Sequence, residues 1–475
     1  MAARVTTVAE LTGSLPVGVV RDVVGDPNVD VTDVVLDSRA VTPGALFACL
    51  VGEHADGHTF ASAAVDAGAR SLLVDHVLDL AVPQLVADDT RAALGPLAAT
   101  FNGNPSHDLT AVGITGTNGK TTTAHMLAHV LSSGGLEVGV HGTLSGVRTT
   151  PEAPELQARL AAERDAGKQA VVMEVSSHAL ALHRVDGTRF AAAVFTNLGR
   201  DHLDLHGSVE EYFRAKARLF LPDLSRLGVV NVDDTYGRLL HDAATIDMVP
   251  YSLDDATDVD VGVDQHRFRW RGHQVVVALG GSFNVMNTLA ALTAATVLGL
   301  DAGTAAASLA ELPPVPGRFE VVSGPEQNFT VVVDYAHTPD GLERLLESAR
   351  SVAGSGRVLV VFGCGGDRDR EKRPMMGAVA AEGADRVVVT SDNPRDEDPG
   401  AIIAAVVAGI APGYGDRVAI EPDRRAAIAT ALGEARSGDV VVIAGKGHEA
   451  TQTIGATTLP FDDRVVARDL LEEMS

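Results

Sequence analysis

The sequence predicts an α/β protein with about three domains. The chain has 475 residues, roughly three times the length of a typical single domain. Short apolar strands, each followed by a loop and a helical segment, recur along it, as they do in proteins built on mainly parallel sheets. Two segments rich in turn residues or proline, FNGNPSHD (101–108) and LPPVPGRFE (312–320), interrupt this pattern. We therefore predict domains at 1–107, 108–315 and 316–475.

Composition narrows the class of protein. Lys and Arg number 38 against 63 Asp and Glu, and the formal net charge of −25 argues against a nucleic-acid-binding surface. The two cysteines, Cys49 and Cys364, form no disulfide framework and favour a reducing compartment. The N-terminus lacks the apolar region of a signal peptide, and no apolar run reaches the ~18 residues of a membrane span. We expect a cytoplasmic monomer that binds neither membranes nor nucleic acid.

The first predicted domain alternates short strands and helices. VTDVVLDSRAVTPGALFACL (31–50) carries two apolar runs separated by turn residues. FASAAVDAGARSLLVD (60–75) is typical of a helix, a glycine turn and a strand. This segment is expected to form a small α/β unit.

The second predicted domain opens with GITGTNGKTTT (113–123), between a buried strand at 109–115 and a helix at 121–131. A strand, a glycine-rich loop and a helix N-terminus direct backbone N–H groups at one point, which favours polyphosphate. Lys120 could then reach the β- and γ-phosphates, and the Thr121 hydroxyl could ligate Mg²⁺. Ile114 stands where the strict phosphate-loop pattern has its first glycine, which indicates a variant loop. The alternative is an ordinary glycine-containing turn.

Polar side chains follow the next strands of this domain, AVVMEV (170–175) and AAAVFTNL (191–198). Glu174 ends the first of these strands and is a candidate Mg²⁺ ligand, whereas Ser176 or Ser177 could simply cap the following helix. TNLGRDHLDLHG (196–207) places Asn197, Asp201, His202 and Asp204 after the second strand. This concentration of polar groups at a strand end favours a metal or substrate role for His202.

A lysine is predicted inside an apolar helix face in EYFRAKARLF (211–220), because Tyr212, Lys216, Leu219 and Phe220 have helical spacing. Burial lowers the pKa of an ammonium, and the neutral amine can take up CO₂ to become a carbamate. Lys216 would then act as a carboxylate-like ligand for a second Mg²⁺. The alternative is a lysine whose charged end reaches solvent.

The third predicted domain repeats the strand-then-loop theme of a doubly wound sheet, in which ligands bind at the carboxyl ends of the strands. SDNPRDEDP (391–399) follows one such strand. Arg395 could grip a carboxylate of the ligand with two parallel hydrogen bonds. An Asn-Pro turn with a solvated arginine is the alternative.

Taken together, the motifs resemble those of the Mur ligase family, the ATP-dependent amide ligases that build the peptidoglycan stem peptide. GTNGKTTT, EVSSHAL, FTNLGRDHLD and YFRAKARLF occur in the order and spacing of that family. The resemblance extends over nearly the whole chain, through TTPE (149–152), GSFNVMNTLAA (281–291), PGRFE (316–320), DYAHTPDGL (334–342), GCGGDRD (363–369), DNPRDEDP (392–399) and GKGHE (445–449).

The resemblance implies the three-domain Mur ligase architecture: a small N-terminal α/β domain for the UDP group, a central P-loop ATPase domain and a C-terminal Rossmann-like domain for the incoming amino acid. It also implies a reaction that uses ATP and Mg²⁺. The D-glutamyl γ-carboxylate of UDP-N-acetylmuramoyl-L-alanyl-D-glutamate would form an acyl phosphate, which an amine of meso-diaminopimelate attacks. Positioning and charge neutralisation would supply most of the catalysis.

The family's functional residues carry over by motif. The residues implied to bind ATP are Gly116, Thr117, Asn118, Gly119, Lys120, Thr121, Thr122, Asn287, Arg318, Asp334 and His337. The implied Mg²⁺ ligands are Thr121, Glu174, His202 and carbamylated Lys216, and the implied catalytic residues are Lys120, His202 and Lys216. The UDP-linked substrate would meet Ser38, Thr149, Thr150, Ser176 and Arg184. Diaminopimelate would meet Arg368, Asp392, Asn393, Pro394, Arg395, Gly445 and Glu449, with Glu449 facing its far-end ammonium.

Four positions depart from the family pattern, and two other classes of protein share part of it. The family often has Gln at Leu182, Ser at Gly199, an aromatic residue at Leu205 and Tyr at Met286. A folylpolyglutamate synthase would share the phosphate loop and the acyl-phosphate chemistry, but the N-terminal DSR and DGH segments and the DNPR and GKGHE motifs argue against it. A non-catalytic nucleotide-binding regulator would not need the intact set of Lys120, Glu174, His202 and Lys216.

Overall fold

The computed structural model describes residues 4–52, 55–146 and 148–474. It contains three largely parallel sheets, which confirms the predicted α/β class. Among the described residues, no helix is long and apolar enough to cross a membrane.

The first sheet has five strands in the order β2-β7-β6-β5-β4, with only β2 antiparallel to its neighbour. β1 and β3 pair separately. The elements of this unit are β1 (Thr6–Thr7), α1 (Val8–Gly13), β2 (Asp22–Val24), β3 (Asp30–Val31), β4 (Asp33–Val35), β5 (Ala45–Ala48), α2 (Ala61–Asp66), β6 (Ser71–Val74), β7 (Gln84–Val86) and α3 (Thr90–Phe101).

The second sheet has six parallel strands in the order β13-β12-β11-β8-β10-β9, and an antiparallel sheet of β14, β15 and β16 lies beside it. The strands of this unit are β8 (Thr110–Thr115), β9 (Val138–His141), β10 (Ala170–Glu174), β11 (Ala192–Phe195), β12 (Leu227–Asn231), β13 (Asp247–Tyr251), β14 (Thr257–Val261), β15 (His266–Trp270) and β16 (His273–Val277). Its helices are α4 (Lys120–Ser133), α5 (Ala153–Asp165), α6 (Ser177–Ala181), α7 (Leu203–His206), α8 (Val209–Ala217), α9 (Thr235–Ala243), α10 (Phe283–Val297) and α11 (Ala302–Ser308).

The third sheet has the order β17-β18-β22-β19-β20-β21 and is parallel except for β17. Its strands are β17 (Glu320–Val321), β18 (Thr330–Asp334), β19 (Val358–Phe362), β20 (Arg386–Val389), β21 (Val418–Ile420) and β22 (Val440–Ala444), and β23 (Thr451–Ile454) and β24 (Thr457–Pro460) form a hairpin beside them. The helices are α12 (Pro339–Ala353), α13 (Lys372–Gly383), α14 (Pro399–Val407), α15 (Arg424–Glu434) and α16 (Asp463–Met474).

β8 lies inside the second sheet, and both of its faces are covered, which explains its uninterrupted apolar sequence. Val112 and Ile114 pack into one cluster with residues of α4 and α10. Ala111 faces the opposite cluster, which contains Phe195 and Tyr212. The phosphate loop at the end of β8 is therefore carried by a strand that is held on both sides.

Two details differ from the sequence prediction. α8 ends at Ala217, and residues 218–220 form a 3₁₀ turn, although Leu219 and Phe220 remain as buried as the predicted helix face required. The two predicted junctions are packed rather than loose. Pro105 is buried in the first, and Phe319 is buried in the second.

Candidate active site

Two glycines shape the phosphate loop. Gly119 has a φ of +87° and precedes the first residue of α4, and a Cβ there would lie 2.3 Å from Asn287 Oδ1. A Cβ on Gly116 would lie 1.9 Å from Thr196 Oγ1. Both positions therefore require glycine, because the loop is pressed against its neighbours and Gly119 is left-handed.

The loop leaves hydrogen-bond donors unused. Asn197 accepts from the backbone N–H groups of Thr117 and Asn118, through its carbonyl and side-chain oxygens respectively, each at 2.9 Å. Among the described residues, no acceptor is bonded to the N–H groups of Lys120, Thr121 or Thr122, which open α4. Free donors at the positive end of a 14-residue helix fit a phosphate group.

Lys120 is folded back onto its own loop. Its Nζ donates to the carbonyls of Gly116 at 2.9 Å and Thr117 at 3.0 Å. Burial lowers the pKa of Lys120 below its ordinary value, and the nearby carboxylate of Glu174 partly opposes that shift.

Hard oxygen donors meet where the loop joins α4. Thr121 Oγ1 donates to Glu174 Oε2 at 3.0 Å, and Glu174 Oε1 accepts from the N–H of Thr143 at 2.8 Å. Arg318 Nη2 donates to Thr121 Oγ1 at 2.9 Å, while its buried Nε has no partner among the described residues. A hydroxyl and a buried carboxylate side by side fit Mg²⁺, and the unpaired Arg318 Nε fits an anionic ligand next to it.

Lys216 lies beneath the loop rather than at a cavity surface, and only 1% of it is exposed. Its Nζ donates to the Gly116 carbonyl at 2.8 Å and lies 4.5 Å from the centroid of the Tyr212 ring. Burial, helped by the charge of Lys120, lowers the pKa of Lys216 well below its ordinary value. The predicted desolvated amine is therefore present, whereas carbamylation stays a prediction.

His202 and His337 approach the same carboxylate from two sides. His202 Nε2 lies 3.3 Å from Asp201 Oδ2, and His337 Nε2 lies 3.9 Å from the same oxygen. Burial lowers the pKa of His337 to about 4. His337 Nδ1 donates to the Tyr335 carbonyl at 2.9 Å, so the neutral ring presents an unprotonated Nε2.

One cavity opens over the phosphate loop. It brings together most of the residues predicted to bind ATP, metal or the end of the UDP-linked substrate: Thr117, Asn118, Gly119, Lys120, Thr121, Thr122, Thr149, Glu174, Ser176, His202, Asn287, Arg318, Asp334 and His337. Gly116 lies behind this wall and offers its carbonyl to Lys120 and Lys216.

A second cavity adjoins the first. Six of the seven residues predicted to bind the amino acid line it: Arg368, Asp392, Asn393, Arg395, Gly445 and Glu449. Pro394 does not line this cavity. Its carbonyl accepts from the N–H of Glu397 at 3.1 Å, and it supports the turn from behind. Both cavities share four wall residues: Asp201, His202, Tyr335 and His337.

The loops at 391–395 and 445–449, named the amino-acid loops for the ligand predicted from the sequence, carry side chains of opposite charge. Asn393 Nδ2 donates to Glu449 Oε2 at 2.8 Å. Arg395 has a φ of +52°, and its Nη1 donates to the Gly366 carbonyl at 2.6 Å. The predicted Asn-Pro turn is present, but Arg395 faces the cavity rather than open solvent.

A fully buried ion pair supports these loops from below. Arg424 and Asp463 are both 0% exposed in their side chains, and two hydrogen bonds of 2.7 Å join them. Arg424 also donates to the carbonyls of Ser391 at 3.3 Å and Ala444 at 2.9 Å. Those carbonyls immediately precede Asp392 and Gly445, so one guanidinium holds both loops.

Besides Gly116, Lys216 and Pro394, three more predicted residues line neither cavity. Ser38 lies in the first unit, in the 3₁₀ turn that follows β4. Thr150 is buried and donates to the Glu174 carbonyl at 2.9 Å. Arg184 pairs with Glu152 at 2.7 Å. Arg184 also donates to the Thr150 carbonyl at 3.4 Å, so Thr150 and Arg184 lie next to Glu174 without lining a cavity.

Sequence reasoning missed contacts between the second and third units. Asp340 Oδ2 accepts from the N–H of Arg200 at 3.2 Å, and Arg200 Nη2 donates to Glu371 at 2.5 Å. A Cβ on Gly199 would lie 2.0 Å from Asp340 Oδ2, which gives this departure from the family pattern a structural reason. The hydrogen bond from Thr143 to Glu174 was also missed, because Thr143 lies outside the motifs found in the sequence.

A His/Asp group outside these cavities was also not predicted. Within the described ranges, His58, Asp75 and His76 form the only group of three or more His, Cys, Asp or Glu ligand atoms close enough for a shared metal. His58 Nδ1 already contacts Asp56 at 2.7 Å, and its Nε2 contacts Asp75 at 3.2 Å. Both ring nitrogens of His58 already contact carboxylates, so these contacts require no metal.

The fold and the site define a P-loop enzyme in which a second α/β unit contributes to the cavity over the phosphate loop. Family models match three stretches of the chain: "Mur ligase family, catalytic domain" at 30–102, "Mur ligase middle domain" at 114–295 and "Mur ligase, glutamate ligase domain" at 317–447. The chain belongs to the Mur ligase family.

Curated relatives match almost end to end. The UDP-N-acetylmuramoyl-L-alanyl-D-glutamate–2,6-diaminopimelate ligase of Streptomyces coelicolor is 45% identical over 98% of this chain and 97% of its own. The enzyme of the same name from Geobacillus thermodenitrificans is 44% identical over 94% of this chain and 96% of its own.

Solved structures agree with these matches. A structure of a UDP-N-acetylmuramoyl-L-alanyl-D-glutamate–2,6-diaminopimelate ligase has a TM-score of 0.69 and 34% identity, covering 99% of both chains. The MurF ligase of Thermotoga maritima in complex with ADP has a TM-score of 0.62 and 20% identity, covering 93% of this chain and 96% of its own. Folylpolyglutamate synthase of Mycobacterium tuberculosis, at 0.58 and 19%, shares the fold over 75% of this chain and 92% of its own.

Proposed function

We propose that this chain is an ATP-dependent amide ligase of peptidoglycan precursor synthesis. It joins an amine of meso-diaminopimelate to the D-glutamyl γ-carboxylate of UDP-N-acetylmuramoyl-L-alanyl-D-glutamate. The observation that carries the proposal is the wall shared by the two cavities, which contains Asp201, His202, Tyr335 and His337. Because the same four residues line both cavities, an acyl phosphate formed in one cavity would lie next to an amine bound in the other. Location in the cytoplasm, a monomeric state and the absence of nucleic-acid partners stay predictions from the sequence.

In the first step, a γ-carboxylate oxygen attacks the γ-phosphorus of ATP, the bond from that phosphorus to the bridging oxygen breaks, and ADP leaves. The unused N–H groups at the start of α4 bind phosphate oxygens, and Lys120 exchanges two carbonyl partners for stronger charge-assisted bonds to phosphate. Arg318 supplies further donors, since its Nε has no partner. These groups act by holding the reactants in line and neutralising charge.

Thr121 and Glu174 would hold Mg²⁺, with His202 and carbamylated Lys216 as ligands of a second ion. Mg²⁺, when bound, supplies charge neutralisation on the transferring phosphate. The burial and lowered pKa of Lys216 support the carbamate, because only the neutral amine reacts with CO₂.

In the second step, the amino-acid cavity presents the amine to the acyl phosphate. Arg395 and Glu449 offer opposite charges in this cavity, which matches the carboxylate and ammonium at the far end of diaminopimelate. Lysine lacks that carboxylate and would leave the Arg395 site unpaired, so it should be a very poor substrate. The packing of the third unit against the loop that follows β11, through Arg200 and Asp340, would limit the access of water to the acyl phosphate.

A coupled phosphate-release assay tests the proposal, with UDP-N-acetylmuramoyl-L-alanyl-D-glutamate and a panel of amino acids. Phosphate should appear with meso-diaminopimelate and only slowly with L-lysine. The Michaelis constant for diaminopimelate should rise steeply in Arg395→Ala, and those for ATP and the UDP-linked substrate should stay unchanged. Equal use of L-lysine by the wild type would reject Arg395 as the selector. Turnover of a folate with glutamate, and not of the muramoyl substrate, would reject the whole proposal.

A further inference from the structure

Lys372 is a buried lysine whose ammonium lies in the electrostatic field of Asp201 but makes no direct contact with a counter-charge in the described parts of the chain. Only 6% of the residue is exposed, and it lines the amino-acid cavity. Among the residues that the structure describes, Lys372 makes no side-chain hydrogen bond and no ion pair. Its neighbour Arg373, which is equally buried, binds Glu397 at 2.8 and 3.0 Å. A buried ammonium is costly unless it is paired, which indicates that its partner is an anion supplied by a ligand.

Other features make the surroundings of Lys372 suitable for an anion. Lys372 is the first residue of α13, a helix of 12 residues, and the N-cap residue Glu371 makes no side-chain capping bond. The positive end of this helix and the ammonium therefore act in the same place. The positive charge of Lys372 influences both His337 and Asp201, which belong to the wall shared with the ATP cavity.

This position lies where the two half-reactions must meet. Lys372 lines the same cavity as Arg395 and Glu449, but it lies on α13 rather than on the loops that carry them, whereas Lys120 lines the other cavity. On the proposed function, on which this inference rests, the anion at the shared wall is the acyl phosphate. We propose that Lys372 is a catalytic residue of the second step, whose ammonium binds the phosphate of the acyl phosphate as the amine attacks.

In that step, the amine nitrogen forms a bond to the γ-carbonyl carbon, and the bond from that carbon to the phosphate oxygen breaks. The phosphate leaves with the electron pair of the broken bond and takes the proton lost by the nitrogen, so the products are the amide and HPO₄²⁻. Negative charge increases on the phosphate oxygens during this step. An ammonium already fixed in a dry cavity stabilises that charge without reorganisation.

The test separates the two half-reactions in Lys372→Met. Positional isotope exchange in [¹⁸O]ATP, with the UDP-linked substrate and no amino acid, reports reversible acyl-phosphate formation. Single-turnover amide formation after addition of meso-diaminopimelate reports the second step. We expect isotope exchange to stay within about twofold of wild type, and amide formation to slow by about 10²–10³-fold, the usual effect of losing one stabilising donor. Lys372→Arg should keep part of the rate.

Arg370→Met is the matched control, because Arg370 lies two residues before Lys372, in the loop that leads into α13, and its side chain is 71% exposed. It should leave both half-reactions unchanged. Removing an unpaired buried charge should not lower the melting temperature, and Lys372→Gln provides a second neutral variant.

Three results would overturn the proposal: amide formation within threefold of wild type in both neutral variants, an equal loss of isotope exchange, or a rise confined to the Michaelis constant for the amino acid. The last result would make Lys372 a ligand for the amino-acid carboxylate. A wild-type enzyme that forms no amide would instead reject the proposed function itself.

Discussion

The buried pair of Arg424 and Asp463 gives the sharpest prediction about stability. Arg424→Met removes a guanidinium that makes two hydrogen bonds of 2.7 Å to Asp463 and two more to backbone carbonyls. Asp463 would remain with 0% of its side chain exposed and without its cation. Breaking a buried pair in this way costs about 3–5 kcal/mol, because it leaves an uncompensated charge in the interior.

The expected loss is large enough to measure by thermal melting. For a domain of roughly 160 residues, about 3–5 kcal/mol corresponds to a fall in melting temperature of roughly 6–20 °C. The neighbouring Arg425 provides the control, since its ion pair with Glu473 has side chains that are 41% and 61% exposed. Arg425→Met should cost about 0–1 kcal/mol. The double variant Arg424→Met/Asp463→Leu should recover much of the loss, because it leaves no unpaired charge.

Arg424→Met should also affect amino-acid binding, because Arg424 donates to the carbonyls of Ser391 and Ala444 at the start of the two amino-acid loops. In the folded fraction of Arg424→Met, the Michaelis constant for diaminopimelate should rise while that for ATP stays constant. A melting temperature no lower than that of Arg425→Met, or equal rises for both substrates, would refute this reasoning.

Three further predictions concern the phosphate loop and one buried histidine. Lys216→Ala should nearly abolish ligation without lowering the melting temperature. Short carboxylic acids should restore part of the activity of this variant by standing in for the carbamate. Near-normal activity of the alanine variant in bicarbonate-free buffer would contradict the carbamate. Gly119→Ala should abolish ATP binding in a calorimetric titration, because its Cβ would meet Asn287 Oδ1 at 2.3 Å in a left-handed conformation, and unchanged affinity would contradict the loop geometry. Burial lowers the pKa of His266 from 6.5 to about 4, so the unfolded chain takes up its proton first as the pH falls. The contribution of His266 to the free energy of unfolding is complete above pH 6.5 and falls by up to about 3 kcal/mol towards pH 4. Denaturant titrations of His266→Gln should therefore show a free energy of unfolding that depends less on pH than that of the wild type. An unchanged pH dependence would assign the effect to other groups.

Local patterns in the sequence were enough for the fold class, and the family resemblance supplied most of the residues that line the cavities. Strand β8 is apolar throughout because both of its faces are covered, and the glycine-rich loop after it follows from the same short segment. Lys216 was predicted to be buried from helical spacing alone, and it is, although α8 ends one residue after it.

Contacts between distant segments were decided only by the tertiary structure. Arg424 meets Asp463 across 39 residues, and Arg200 meets Glu371 across 171. No motif singled out Lys372 in the sequence, and its importance appears only because the packed units bury it with no hydrogen-bonded or ion-paired partner among the described residues. Periodicity and motifs report the surroundings of a residue along the chain, whereas the charge and hydrogen-bond balance of a buried group depends on which segments pack around it.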